Sequence, residues 1–223
     1  MNDVEAVTRL LADSRTELRV ALFIALQNSN IEIVRPFLQH PGIYDAGGRG
    51  GQGVQEPWSD ILTFAIGSST LDVVKLVLND PRIGPKMTGD ISCIVLYSAI
   101  DWGRLEVVEL LLKDHRFDPS YHWTNGTGHT LFDRVIEKEA KPEIIRLLIR
   151  DTRFDVKSED YLLHKAVRKG RLTTVSELMS SGRFRQILGV KDGNGQTALE
   201  LAQSLPGLED IVKLLEETGA GSR

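Results

Sequence analysis

The chain has 223 residues, a formal net charge of −4 and a single cysteine, Cys93. That length suits one or two globular domains or one continuous repeat stack, and the acidic balance argues against a general nucleic-acid binder. A lone cysteine cannot form an intramolecular disulfide, which fits a reducing compartment. No run approaches the roughly 18 apolar residues of a membrane-spanning helix, and residues 1–5 lack the basic and apolar segments of a secretory leader. The expectation is a cytoplasmic or nuclear protein with no membrane partner.

Residues 3–12 read as a short helix, with Val4, Val7, Leu10 and Leu11 on one face and Asp3 as N-cap. This segment resembles the second half of a repeat without its first half, as suits an N-terminal cap on a stack. Six repeats follow. Each opens with a helix in which a large apolar residue precedes a small or short one by three positions: Leu22 and Ala25, Leu62 and Ala65, Leu96 and Ala99, Phe132 and Val135, Leu163 and Ala166, Leu199 and Ala202. The spacing puts both members on one helical face, and an alanine there lets two helices approach closely.

Each second helix carries a β-branched residue followed three later by an apolar one: Val34 and Phe37, Val74 and Val77, Val108 and Leu111, Ile145 and Leu148, Val175 and Leu178, Val212 and Leu215. Gly103 and Gly170 occupy the turn between helices in two repeats, as a left-handed C-cap requires. Ser29 and Ser69 take that place in two others. The first-helix anchors recur at spacings of 40, 34, 36, 31 and 36 residues. Neither helix buries its apolar face alone; stacked repeats bury a shared core.

Several segments are tested against chemistry. Residues 47–53 are glycine-rich, but a phosphate loop needs Gly-Lys-Ser/Thr entering a helix after a strand, so an exposed flexible finger is the better reading. His115, His122 and His129 recur every seven residues, without the close pairs of a zinc site. No nucleophile stands beside a base at recognisable spacing. The expectation is no catalytic residue, no metal and no cofactor. Residues 165–191 are locally basic, with Lys165, Arg168, Lys169, Arg171, Arg183, Arg185 and Lys191 facing only Glu177 in that stretch. This reads either as a solvated surface or as a docking patch for an acidic protein segment; the lack of interleaved aromatics disfavours nucleic acid. Trp102, three residues after Ala99, is either an exposed binding anchor or a side chain folded over the neighbouring repeat.

The helix–turn–helix period, Thr197-Ala198-Leu199-Glu200-Leu201-Ala202, Leu163-His164-Lys165-Ala166 and Lys191-Asp192-Gly193-Asn194-Gly195-Gln196-Thr197 together resemble the ankyrin repeat. The likeness covers nearly the whole chain, with an Asp-x-Arg-Phe-Asp ending where Gly-Ala-Asp is commoner. It implies an all-α ankyrin-like solenoid of about six helix–turn–helix repeats plus the N-terminal capping helix. It also implies a single domain over residues 1–218 and a frayed tail at 219–223. By the same resemblance, His164 is a structural hydrogen-bonder to the neighbouring hairpin, and the first-helix ends and finger loops form a binding groove. That groove would run through Asn28, Ser68, Trp102, Trp123, Lys138, Arg168 and Lys169. The function implied is a monomeric, non-enzymatic module that binds a protein or peptide, with an acidic partner segment near Arg168 and Lys169. The alternative is a small enzyme or ligand receptor, which needs a concave pocket with converging polar groups.

Overall fold

The computed structural model describes residues 18–43, 57–83, 89–120, 130–154 and 161–220. The expected capping helix at 3–12, the glycine-rich finger at 47–53 and Trp123 lie outside the described residues. Among those described, twelve α-helices and no β-strand are present. They fall into two compact units, Met1–Phe117 and Asp118–Arg223.

The N-terminal unit holds α1 (Leu18–Gln27), α2 (Ile31–Gln39), α3 (Pro57–Ser68), α4 (Leu71–Leu78), α5 (Gly89–Asp101) and α6 (Leu105–Lys113). The odd-numbered first helices pack as a row, α1 on α3 on α5, and the second helices as another, α2 on α4 on α6. The C-terminal unit repeats this with α7 (Leu131–Lys138), α8 (Pro142–Arg150), α9 (Leu162–Arg168), α10 (Leu172–Ser180), α11 (Ala198–Ser204) and α12 (Glu209–Ala220). Its rows are α7 on α9 on α11 and α8 on α10 on α12. Helix α12 thus runs two residues past the expected domain end at 218.

The anchors form the core as their spacing requires. Leu22, Leu62, Ala65, Leu96, Ala99, Phe132, Val135 and Ala166 are fully or almost fully buried. The last repeat departs from the expectation: Leu199 and Val212 are only half-buried, while Ala198, Leu201 and Ile211 take the core positions. Local caps set the helix starts. Thr130 with Asp133, and Thr197 with Glu200, form reciprocal capping boxes at α7 and α11. The Asn30 side chain accepts from the backbone of Ile33 at α2, and Pro142 begins α8, where its missing N–H costs nothing.

The inter-helix turns are left-handed at Gly103 (φ 60°) and Gly170 (φ 65°), as expected. Ser29 (φ 53°) and Glu139 (φ 51°) adopt the same geometry despite their side chains. Each has a compensating contact: the Ser29 hydroxyl accepts from Thr70 N–H at 3.0 Å, and the Glu139 carboxylate takes Arg171 at 2.6 Å. Ser69 corrects the sequence reading. It is not left-handed; it is buried, and its hydroxyl donates to the Leu26 carbonyl at 2.7 Å, a tie to the preceding repeat.

The Asp-x-Arg ending has a structural cause. In Asp80/Arg82, Asp114/Arg116 and Asp151/Arg153 one carboxylate oxygen accepts the arginine's backbone N–H and Nε, each at 3.0 Å. The other oxygen accepts Nη2 at 2.7, 2.5 and 2.6 Å. In the N-terminal unit the fork then reaches back one repeat, Arg82 to the His40 carbonyl at 3.3 Å and Arg116 to that of Leu78 at 3.2 Å. The following residue, Ile83, Phe117 or Phe154, is buried. Burial pushes the Asp114 and Asp151 carboxyls up, but hydrogen bonds from the side chain and backbone of Arg116 and Arg153 outweigh it. Both therefore lie below the ordinary carboxylate range.

Candidate functional site: the outer face of the first helices

Five of the six first helices, α1, α3, α5, α7 and α9, present an outward stripe two and six residues past the buried anchor. An i, i+4 pair shares a helical face. The pairs are Ile24/Asn28, Phe64/Ser68, Ser98/Trp102, Arg134/Lys138 and Lys165/Lys169.

In the N-terminal unit the expected site residues Asn28 and Ser68 turn inward on their own helices. Asn28 Nδ2 donates to the Ile24 carbonyl at 2.9 Å, and Ser68 Oγ donates to that of Phe64 at 2.7 Å. Asn28 nevertheless stays exposed, and three large apolar side chains of the same helices face solvent as well: Val20 at 50% exposure, Ile24 at 55% and Phe64 at 36%. A groove placed at the helix ends does not include these three. Their signal was present, since α1 is apolar on nearly all sides, a pattern that demands either full burial or a partner. Trp102 is 63% exposed, yet its indole also lies across α3, where a Cβ on Gly67 would stand 2.8 Å from Nε1. The tryptophan covers a glycine of the neighbouring repeat and keeps most of its surface in solvent. Beside it, Phe23 and Phe64 stack at 4.6 Å between ring centroids, with Arg19 over Phe23 and paired to Asp60 at 3.1 Å.

In the C-terminal unit the stripe is charged. Lys138 and Lys169 are exposed. Arg168 is also exposed, but it pairs with Asp192 at 3.3 Å. Lys165 pairs with the buried Asp133 at 2.6 Å. Asp133, Ile136, Glu137, Lys165, Arg168 and Lys169 line a cleft of about 210 Å³. The basic stretch 165–191 is not the array of unopposed cations that its sequence presents. Arg171 donates to the Ile136 and Glu137 carbonyls and to the Glu139 carboxylate. Arg183 holds the carbonyls of Ile149, Asp151, Thr152 and Phe154. Glu177, its one acidic member, is taken by Arg146 of α8 at 2.8 Å.

The finger between α10 and α11 is a tight hairpin. Lys191 and Thr197 bridge antiparallel, and Gly195 is left-handed at φ 77°. The Asp192 carboxylate accepts the backbone N–H of Asn194 at 2.9 Å and of Gln196 at 3.2 Å. Those hydrogen bonds, Asn194 first, hold Asp192 below the usual carboxylate range against the opposing effect of burial. The hairpin is docked by His164, 1% exposed, whose Nε2 lies 2.8 Å from the Gln196 carbonyl. The expected role of His164 is thus observed. Residues 134–221 match the family model of ankyrin repeats, in three copies. This segment is made of ankyrin repeats. A search of the curated proteins finds no match.

The matched ankyrin segment lies within the C-terminal unit. The pairs α1/α2, α3/α4 and α5/α6 precede it with the same cap, turn and anchor logic. Ankyrin repeats are in general protein–protein interaction modules, and typically non-enzymatic. No group of three or more His, Cys, Asp or Glu among the described residues is placed to hold a metal ion. Of the five histidines, His122 and His129 lie outside the described residues, and the His115 side chain is 98% exposed. A cleft of about 560 Å³ lies on the second-helix side, lined by Arg146, Ile149, Arg150, Thr152, Glu177 and others. One of its three arginines pairs with its glutamate, with Arg146 Nε 2.9 Å from both Glu177 oxygens. No described helix is long and apolar enough to cross a membrane.

Proposed function

We propose that this ankyrin-repeat protein is a non-enzymatic interaction module that binds a protein or peptide partner through the outer face of its first helices and the adjoining fingers. The observation that carries this reading is Trp102, a large aromatic left 63% exposed at the end of α5 and braced on Gly67. A rigidly supported, exposed indole is the typical anchor of a binding hot spot. In the N-terminal unit the contact set is Asn28, Ser68 and Trp102; in the C-terminal unit it is Lys138, Arg168 and Lys169. Trp123, outside the described residues, belongs to the same proposal as a finger contact. The module acts as a monomer over residues 1–218, in the cytoplasm or nucleus, with no cofactor and no nucleic-acid or membrane ligand. An enzyme or small-ligand receptor on the same scaffold would need converging unpaired polar groups, whereas Lys165 pairs with Asp133 in one cleft and Arg146 with Glu177 in the other.

The test is affinity capture from native cytosol, followed by purified binding measurements on the captured partner. Two variants are compared, Trp102→Ala and the double Lys138→Glu, Lys169→Glu. Arg168 is better replaced by Gln than by Glu, because a second carboxylate beside Asp192 would disturb the hairpin it holds. Loss of the indole should raise the dissociation rate, and charge reversal should lower the association rate. If both variants melt like wild type and neither shifts affinity by about threefold, roughly 0.7 kcal/mol, the first-helix face is not the site.

A further inference from the structure

We infer that Ser181 is a phosphoacceptor, and that its phosphorylated side chain is held by Arg183 and Arg150 in the cleft between α8 and α10. This is independent of the first-helix face and of any partner bound there. The first observation is a comparison of the five described repeat endings. At each, a side chain at the end of the second helix accepts the backbone N–H two residues on. His40 Nδ1 takes that of Gly42 at 3.1 Å. Asp80, Asp114 and Asp151 take those of Arg82, Arg116 and Arg153, each at 3.0 Å. Ser181 Oγ takes that of Arg183 at 3.3 Å. Where glycine is the donor there is no cation to neutralise, and a histidine serves. Where arginine is the donor, the acceptor is an aspartate three times and a serine once. Ser181-Gly182-Arg183 is the one described ending that keeps the arginine and lacks its carboxylate.

The second observation is what the guanidinium does instead. In the aspartate endings Nε donates to the carboxylate of its own ending. Arg183 turns both Nη atoms to carbonyls of the preceding repeat, and its Nε has no partner among the described residues. An anion on Ser181 has that Nε to meet. The position also tolerates negative charge at a helix C-terminus, where the dipole opposes it. Asp114 and Asp151 are C-caps, as Ser181 is; burial raises both carboxyls, yet hydrogen bonds from their arginines hold them below the ordinary range. The backbone differs, since Asp114 and Asp151 are extended while Ser181 is helical and Gly182 left-handed at φ 66°. A phosphoserine is one bond longer than an aspartate and ends in three acceptor oxygens, so it reaches a guanidinium from a wider range of backbone positions.

The third observation is the cleft itself. Ser181 lines the cavity of about 560 Å³ together with Arg146, Arg150, Arg183, Glu177 and Ser180. Three arginines face one glutamate there. Glu177 is taken by Arg146, and Glu143 acts on that same arginine. Asp151, whose charge is felt by Arg183, is paired with Arg153. Arg150 is exposed and has no partner among the described residues. Ser180, Ser181 and Gly182 are exposed, and a Cβ on Gly182 would meet nothing within 4 Å, so a kinase can reach the turn. In the transfer, the Ser181 hydroxyl gives up its bond to the Leu178 carbonyl, and Oγ attacks the γ-phosphorus of a nucleoside triphosphate bound by the kinase. The Oγ–P bond forms as the bond from that phosphorus to the bridging oxygen breaks. The nucleoside diphosphate leaves and the hydroxyl proton passes to the kinase's base. The product gives this ending the anion that the three before it carry as aspartate.

The experiment has two arms, both on the full-length protein. In the first, the protein is recovered from native cells under phosphatase inhibition and its phosphopeptides are mapped by tandem mass spectrometry. Phosphate on Ser181 is the expected result; phosphate confined to Ser180 or to other residues, or none at all, overturns the proposal. In the second, phosphoserine is installed at position 181 during translation, and its second ionisation is followed by phosphorus NMR. That pKa is ordinarily about 6. In the folded protein it should lie lower by about one unit, and unfolding in urea should restore it. Arg183→Lys and Arg150→Gln should each remove part of the shift. Arg150→Gln disturbs no described contact, so it keeps the test open if Arg183→Lys lowers stability; both variants are first compared with wild type by circular dichroism and melting temperature. A phosphate at 181 that titrates in the folded protein as it does in urea, or a shift indifferent to both substitutions, also overturns the proposal.

Discussion

Replacing Arg183 with alanine tests how one repeat is tied to the next. Its guanidinium closes the C-terminal end of α8 from the repeat that follows. Nη1 donates to the Ile149 and Asp151 carbonyls, both at 2.8 Å, and Nη2 to Thr152 at 3.3 Å and to Phe154. The carbon of the same group sits 5.2 Å from the Phe184 ring centroid, over a phenylalanine with no exposed surface. A hydrogen bond to a charged group is worth about 1.5–3 kcal/mol where the partner stays dry, and a half-exposed cation–π contact adds about 0.5–1 kcal/mol. Arg183 is only half-buried, so water replaces part of what is lost, and Arg183→Ala should cost about 2–3 kcal/mol. For a chain of this size that is a fall in Tm on the order of 5–10 °C. Arg183→Lys keeps the charge but not the planar fork, and should recover about half. Thermal unfolding by circular dichroism measures all of this, with Arg185→Ala as the control, since Arg185 is exposed and should change stability by less than about 0.5 kcal/mol. An Arg183→Ala protein melting within about 1 °C of wild type would show that the four-carbonyl cradle contributes nothing net.

Three further outcomes are expected. Ala99 has no exposed surface in α5, so Ala99→Leu should destabilise by about 1–3 kcal/mol through overpacking; an unchanged melting temperature would refute the close helix approach. His164→Ala should leave overall helicity intact but speed amide exchange at Asp192 and Gly195, whose hairpin His164 anchors; unaltered protection there would mean that the hairpin stands alone. Asp114 and Asp151 have folded values below the unfolded one, so their contribution is complete above about pH 4 and lost as pH falls through the lower folded values. Urea midpoints should therefore drop below about pH 4, and Asp114→Asn with Asp151→Asn should flatten that acid limb while lowering stability at neutral pH.

The helix pairs were legible in the sequence because the information is local. An i, i+3 pair such as Leu96 and Ala99 shares a face in any helix, a glycine at 103 or 170 permits a left-handed turn in any context, and Thr-x-x-Glu at 197–200 caps a helix from within itself. His164 was legible for a different reason: a repeat motif carries its tertiary partner with it, here the Gln196 carbonyl 32 residues away.

What the sequence left open was settled by side chains meeting across repeats. Ser29 and Ser69 occupy equivalent positions, yet Ser29 bends left-handed and Ser69 does not; the Ser29 hydroxyl accepts from Thr70 of the next repeat, whereas the Ser69 hydroxyl donates back to the Leu26 carbonyl. The cations of residues 165–191 look unopposed along the chain. Their partners Asp133, Glu139 and Asp192 and the carbonyls at the ends of α7 and α8 come from neighbouring repeats. In the opposite sense, Ile24 and Phe64 read as ordinary members of apolar helices. Whether a helix buries its second apolar face depends on what packs there, and among the described residues that face of α1 and α3 is left in solvent. Periodicity is a property of one helix, and so the sequence alone determined the elements and their inner faces. Charge pairing and exposure are properties of at least two, and these only the stacking of repeats decided.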